Sequence, residues 1–140
     1  MPSGNGGNTL LLDTHVWLWL ANGSVEIERT KARPQIDAAA RRGSLYVSVI
    51  SAWEISLLVR KRRLTLPTDS LAWINQSLRE SGIGVMPLTA EIAVASNSLP
   101  GTFHGDPADR IIVATARQAD VVLVTADREI RAYPHVRTAW

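Results

Sequence analysis

The chain has 140 residues, 46% hydrophobic and 20% charged, which suits one globular domain with enough length for a real core. It contains no cysteine, which excludes a disulfide scaffold, a zinc–thiolate site and a cysteine nucleophile, and is compatible with the reducing cytoplasm where the protein is expected to reside. A formal net charge of +2, from 15 basic and 13 acidic residues, is too small to argue for nucleic-acid binding, so only the distribution of charge can do so.

Residues 1–8 read as a flexible tail, because they carry neither the basic nor the apolar region of a secretory signal. Residues 9–140 read as a single domain. No apolar run approaches the ~20 residues of a membrane span; the longest starts at Thr9 and is broken by Asp13 and His15. Thr9 to Leu12 is a short apolar run, expected as a buried strand. His15 to Ala21 should be helical, closed by Asn22-Gly23. Arg33 to Arg42 predicts a second helix, with Pro34 near its start and Gly43 at its end. Leu45 to Ser48 is a strand. Ser51 to Arg62 is a helix with Ile55, Leu58 and Val59 on one face. It runs into the densest basic stretch, Arg60-Lys61-Arg62-Arg63. Those cations complement the helix macrodipole or contact RNA phosphates or an acidic partner.

After a connector over Leu64 to Pro67, Asp69 or Ser70 can cap a helix that runs to about Glu80 and stops at Gly82. Ile83 to Met86 is a third strand. Thr89 to Asn97 is a short helix with Thr89 as its cap. A loop over Pro100 to Gly105 leads into a helix from Pro107 to Gln118, with proline in its first turn. Val121 to Val124 is a buried strand, and a last short strand is expected near Val136. Strands alternating with helices give a parallel α/β sheet with helices on both faces. In such sheets function gathers beyond the carboxyl ends of the strands.

Four acids from separate segments fall at that side. Asp13 follows the first strand and Asp127 the fourth. Glu54 lies early in the helix after the second strand, and Asp109 in the first turn of the helix before the fourth. Singly, each has an ordinary explanation: a cap for Asp13, a helix N-terminus for Asp109, a turn for Asp127, a solvated helix face for Glu54. Together they pose an electrostatic problem, since like charges ~4 Å apart repel by ~4 kcal/mol at an effective dielectric of 20. Either protons are retained or a cation is bound. Oxygen donors alone select a hard ion, Mg2+ or Mn2+, of the kind a phosphodiester nuclease uses. Asp106, directly before Pro107, is either a helix cap or a fifth member of the set.

The segments Leu12-Asp13-Thr14-His15-Val16-Trp17, Val47 to Ile55 (containing Trp53-Glu54-Ile55), His104 to Ile112 (containing Asp106-Pro107-Ala108-Asp109-Arg110) and Val124-Thr125-Ala126-Asp127 resemble PIN-domain nucleases. Within that superfamily they look most like the VapC-type toxins of bacterial toxin–antitoxin pairs, over about Leu10 to Tyr133. The resemblance implies a three-layer α/β/α PIN fold with a central parallel sheet of four to five strands. It implies an Mg2+-dependent endoribonuclease, with Mn2+ as a substitute ion, that hydrolyses RNA through a metal-activated water. Asp13, Glu54 and Asp109 would be the core metal ligands, with Asp127 completing the cluster. Thr14 and Thr125 match supporting hydroxyl positions, and His104 falls where substrate-facing or structural histidines are common. The implied partners are a cognate antitoxin, a structured or translation-related RNA such as transfer RNA, and a second copy of the chain.

Further expectations come from the residues themselves. Arg110 and the basic run near Arg60 would neutralise phosphates. His15 would be packed. Trp17, Trp19, Trp53 and Trp73 would be core or interface anchors, and the helices carrying Trp17, Ile55, Leu58 and Trp73 would form an apolar antitoxin groove close to the acids. The competing reading is a PIN-fold protein that binds RNA or a partner without cutting. An aspartate phosphatase is disfavoured, because position 15 is histidine where a second acid is expected. A phosphoacceptor domain is disfavoured too, since neither Lys31 nor Lys61 is placed for it.

Overall fold

Three consecutive leucines, Leu10–Leu12, form the central strand β1, and their alternation builds both layers of the core. In the computed structural model, which describes residues 9–140, Leu10 and Leu12 join one apolar cluster and Leu11 the other. β1 is followed by helix α1 (Thr14–Asn22), the short α2 (Val25–Glu28) and α3 (Ala32–Arg41). Strand β2 (Leu45–Ser48) then leads into α4 (Val49–Arg60) and α5 (Ser70–Ser81). The chain continues through β3 (Gly84–Met86), α6 (Ala90–Ala95), α7 (Pro107–Ala119), β4 (Val122–Val124), α8 (Arg128–Ala132) and β5 (Thr138–Ala139). The expectation for residues 1–8 lies outside the described residues.

The sheet has five strands in the order β3-β2-β1-β4-β5, all parallel. Leu12 pairs with Val47 of β2 on one side and with Val124 of β4 on the other. The chain therefore winds outward from β1 in both directions, and the carboxyl ends of β1 and β4 flank a topological switch point, where open α/β sheets form their crevice. One core layer packs Leu10, Leu12, Leu45, Val47 and Val124 against Trp17, Ile27, Ile36, Ile55 and Trp73. The other packs Leu11, Met86 and Leu123 against Ile112, Val113, Ala116 and Ile130. Helices thus cover both faces, as the alternating pattern predicts.

Three expectations change. Helices α2 and α8 were not anticipated; each is a single turn or little more, too short to show a hydrophobic period. The final strand falls at Thr138–Ala139 instead of near Val136. The proposed apolar groove does not exist as such. Trp17 and Ile55 are fully buried, Trp73 nearly so. The Trp17 indole N–H donates to the Ser77 hydroxyl at 2.8 Å, and its ring packs on Trp73 with centroids 5.9 Å apart. These side chains are core. Of the five tryptophans, Trp53 is the exposed one, at 55%.

Candidate active site

Asp13 owes its position to β1. Its backbone N–H continues the ladder to Val124 O at 3.0 Å, and its side chain then caps α1, with Oδ1 accepting the Thr14 N–H at 2.8 Å. Oδ2 accepts the Thr125 hydroxyl at 2.8 Å. Thr125 is fully buried just after β4, and its Oγ1 also accepts the Asp127 N–H at 3.0 Å. One hydroxyl therefore ties the ends of the two central strands together. Asp127 caps α8 by accepting the Ile130 N–H at 3.0 Å. The turn role foreseen for Asp127 is in fact a helix cap.

Glu54 is held from the β2 side. Its Oε1 lies 2.6 Å from the Thr14 hydroxyl, which is also 2.8 Å from Ser51 Oγ. A hydroxyl has one proton, so Thr14 donates to the carboxylate and accepts from Ser51. Ser51 is fully buried three residues before Glu54 on α4. Sequence reasoning missed it; its only signal was a small polar residue one helical turn ahead of the acid. Asp106 caps α7, accepting the Asp109 N–H at 2.8 Å. The preceding Gly105 is required by close approach, since a Cβ there would stand 2.5 Å from the Phe103 ring and 2.9 Å from Asp109 Cβ.

Asp13, Glu54, Asp106, Asp109 and Asp127 line one cavity of about 370 Å3, together with His15, Trp19 and Ala126. All five candidate acids meet there, and among the described residues no lysine or arginine lines the cavity. Asp106 is both a cap and a member of the set. Burial, opposed by the Thr125 hydrogen bond, leaves Asp13 above the usual carboxylate range. Glu54 is raised chiefly by burial, with Asp106 and Asp13 adding repulsion. Asp109 is pushed up to about 7 by burial and then by the charges of Asp106, Asp13, Glu54 and Asp127.

The donor set fits a hard divalent cation. Among the described residues no three acid or histidine groups stand close enough to ligate one ion directly. Mg2+ does not require that, because it keeps several waters and takes one or two carboxylates directly. Each carboxylate oxygen that accepts one hydrogen bond keeps a second lone pair for a metal ion or a metal-bound water.

Other candidates fall elsewhere. The Arg110 guanidinium donates to Phe103 O at 2.8 Å, Gly105 O at 3.2 Å and Ser96 O at 3.5 Å. It braces the loop ahead of α7 and is not a free phosphate contact. His104 is exposed and does not line the cavity. His15 is not packed inside; it is exposed on the cavity wall, its ring 6.2 Å from that of Trp19. A second cavity of about 380 Å3, at the amino end of β4, contains Arg117, Asp120, His135 and Arg137. Its cations are engaged: Arg117 bonds His135 O and Arg137 pairs with Asp120.

Thr125→Val is expected to lower stability by about 2 kcal/mol, because it strips a buried carboxylate oxygen and an N–H of their shared partner. Any activity should fall about 10- to 100-fold, as for groups that orient ligands. Thermal unfolding and a cleavage assay measure the two effects.

The switch point of this parallel sheet gathers carboxylates from four segments, which defines an α/β domain with an acidic site. The PIN domain family model matches residues 10–136, and the chain belongs to that family. It is 38% identical over 135 residues to Ribonuclease VapC22 of Mycobacterium tuberculosis, spanning 94% of this chain and 98% of that protein. Among solved structures, VapBC2 from Rickettsia felis bound to a DNA fragment from the promoter matches with a TM-score of 0.69 at 16% identity, covering 93% of this chain and 96% of that one. DNA-bound VapBC from Salmonella typhimurium matches at 0.66 and 20% identity, with 93% and 96% covered. FitAcB from Neisseria gonorrhoeae matches at 0.57 and 22% identity, with 94% and 97% covered. At these identities the structural likeness concerns the fold.

Proposed function

We propose that the protein is a divalent-metal-dependent endoribonuclease and the toxin of a toxin–antitoxin pair. The observation that carries this reading is the convergence of five carboxylates on one cavity, with the pKa of Asp109 pushed up to about 7 by burial and then by the charges of the others. Similarity to a protein named as a ribonuclease supports RNA as the substrate. Similarity in fold to a toxin–antitoxin complex from Klebsiella pneumoniae (TM-score 0.58, 18% identity) supports a protein partner.

Asp13, Glu54 and Asp109, completed by Asp127, would hold Mg2+ or Mn2+, one or two of them directly and the others through metal-bound water, with Asp106 lining the same cavity. The chemistry such an ion supplies is an acidified water and neutralised charge at the scissile phosphate. The chain's own part is positional. Thr125 fixes Asp13, and Thr14 with Ser51 fixes Glu54. The first turn of α7 brings Asp109 to the same cavity. Val49 and Trp53, exposed one turn apart on α4, offer apolar surface for a homodimer.

Incubation of the purified protein with total RNA tests the function. Cleavage should appear with Mg2+, vanish with EDTA and return with excess Mg2+. Cleavage indifferent to EDTA would contradict the metal. RNA binding without any cleavage would favour the non-cutting alternative. Within the described residues no helix is long and apolar enough to cross a membrane.

A further inference from the structure

Five helices end in the same hydrogen-bonded cap, and one of them is built from the wrong residue. After α1 the cap residue is Gly23, after α3 it is Gly43 and after α5 it is Gly82, with φ of 62°, 70° and 64°. After α7 it is Asp120, φ 54°, a short polar side chain that tolerates the left-handed region. After α4 it is Arg62, φ 59°. There the Arg62 N–H donates to Val59 O at 3.0 Å and the Arg63 N–H to Leu58 O at 2.9 Å. This is the pattern glycine serves best. A long side chain strained into that position marks a site where the side chain itself is used.

Arg62 lies within Arg60-Lys61-Arg62-Arg63. All four are exposed, and none forms an ion pair or side-chain hydrogen bond among the described residues. Complementing the α4 macrodipole explains Arg60 and Lys61, but the two beyond the helix overshoot that need. Among the described residues no lysine or arginine lines the acid cavity, and Arg110 is taken up by three carbonyls. An RNA backbone approaching the cavity must therefore find its neutralising charge elsewhere on the surface. The run begins six residues beyond Glu54 on the same helix, roughly 9 Å along its axis.

We propose that Arg60, Lys61, Arg62 and Arg63 form a phosphate-backbone anchor for RNA extending away from the cleaved bond. This rests on the ribonuclease reading for its substrate class. The anchor reads charge and not base identity, so it adds affinity for long RNA without sequence preference.

The test is binding of a labelled single-stranded RNA of about 20 nucleotides, followed by anisotropy from about 50 to 200 mM salt with EDTA present so that the RNA stays intact. Substituting Arg60→Gln, Lys61→Gln, Arg62→Gly and Arg63→Gln together should reduce the slope of log affinity against log salt by about 3, at ~0.7 per phosphate contact. Arg62→Gly alone should reduce it by about 0.7 while raising Tm by about 2–4 °C, since glycine relieves the cap. A double control, Arg29→Gln with Arg79→Gln, should move the slope little. An unchanged slope in the fourfold variant, or an equal loss per charge in the control, overturns the anchor. So does a fourfold variant that binds RNA normally but no longer co-purifies with its protein partner. Cleavage of the same RNA with Mg2+ is run alongside. A wild type that cleaves while its slope ignores the run defeats only the anchor, whereas a wild type that binds through the run but never cleaves defeats the ribonuclease reading.

Discussion

Asp109→Asn is expected to abolish RNA cleavage to within about a thousandth of wild type while leaving the protein folded and, without metal, more stable. The activity estimate follows from losing a charge that holds the cation, ~4 kcal/mol of barrier. The stability effect runs the other way because burial and then four other carboxylates push the pKa of Asp109 up to about 7, so its charge is unfavourable there. An amide of the same shape removes both the buried charge and the repulsion. Loss of function with gain of stability is the signature of a residue retained for chemistry. Asp13→Asn should lose activity comparably but gain less stability, since its carboxylate is already satisfied by the Thr14 N–H and the Thr125 hydroxyl. Single-turnover cleavage and thermal unfolding at neutral pH separate the two effects. An Asp109→Asn protein that is both inactive and destabilised would make the residue structural instead.

The second large effect is a pH-dependent stabilisation by Mg2+. Asp109 titrates at about 7 in the folded chain against an ordinary 3.8. Between those values the folded state keeps a proton that the unfolded state has released, so metal-free stability falls as pH rises from about 4 to about 7. Asp13 and Glu54, both raised, push in the same direction. A divalent cation replaces the lost protons. At about pH 8 and a hundredfold excess over its dissociation constant it should stabilise by about 2.7 kcal/mol. At about pH 5 protons compete, and the gain should largely disappear. Thermal unfolding with and without Mg2+ across that range is the measurement. A shift equal at both ends of the range would place the ion elsewhere.

Local rules carried much of this architecture. Short apolar runs such as Leu10–Leu12 and Leu123 with its neighbours, bounded by turn residues and alternating with helical segments, read as strands buried on both faces. The caps Asp69, Thr89, Asp106 and the stop at Gly82 fall where the side-chain rules put them. The one-turn helices α2 and α8 escaped because each is anchored by a single buried residue, Ile27 or Ile130, and one residue has no period. The acids were readable because strand ends and helix starts fix their side of the sheet. What tertiary packing alone decides was not readable: that Trp17 and Trp73 bury against each other, that His15 faces the cavity, and that Arg110 spends its donors on carbonyls. Ser51 was hidden for a similar reason, since its partner Thr14 lies 37 positions away in the chain.

The central claim is that Asp13, Glu54 and Asp109 hold a divalent cation whose presence makes the protein cut RNA. Titration with Mn2+, followed by loss of the free-ion electron paramagnetic resonance signal, tests it most directly when the same samples are assayed for RNA cleavage. Wild type should take up Mn2+ and cleave, whereas Asp109→Asn should leave the ion free and the RNA intact. Undiminished Mn2+ uptake and cleavage by Asp109→Asn would contradict the account.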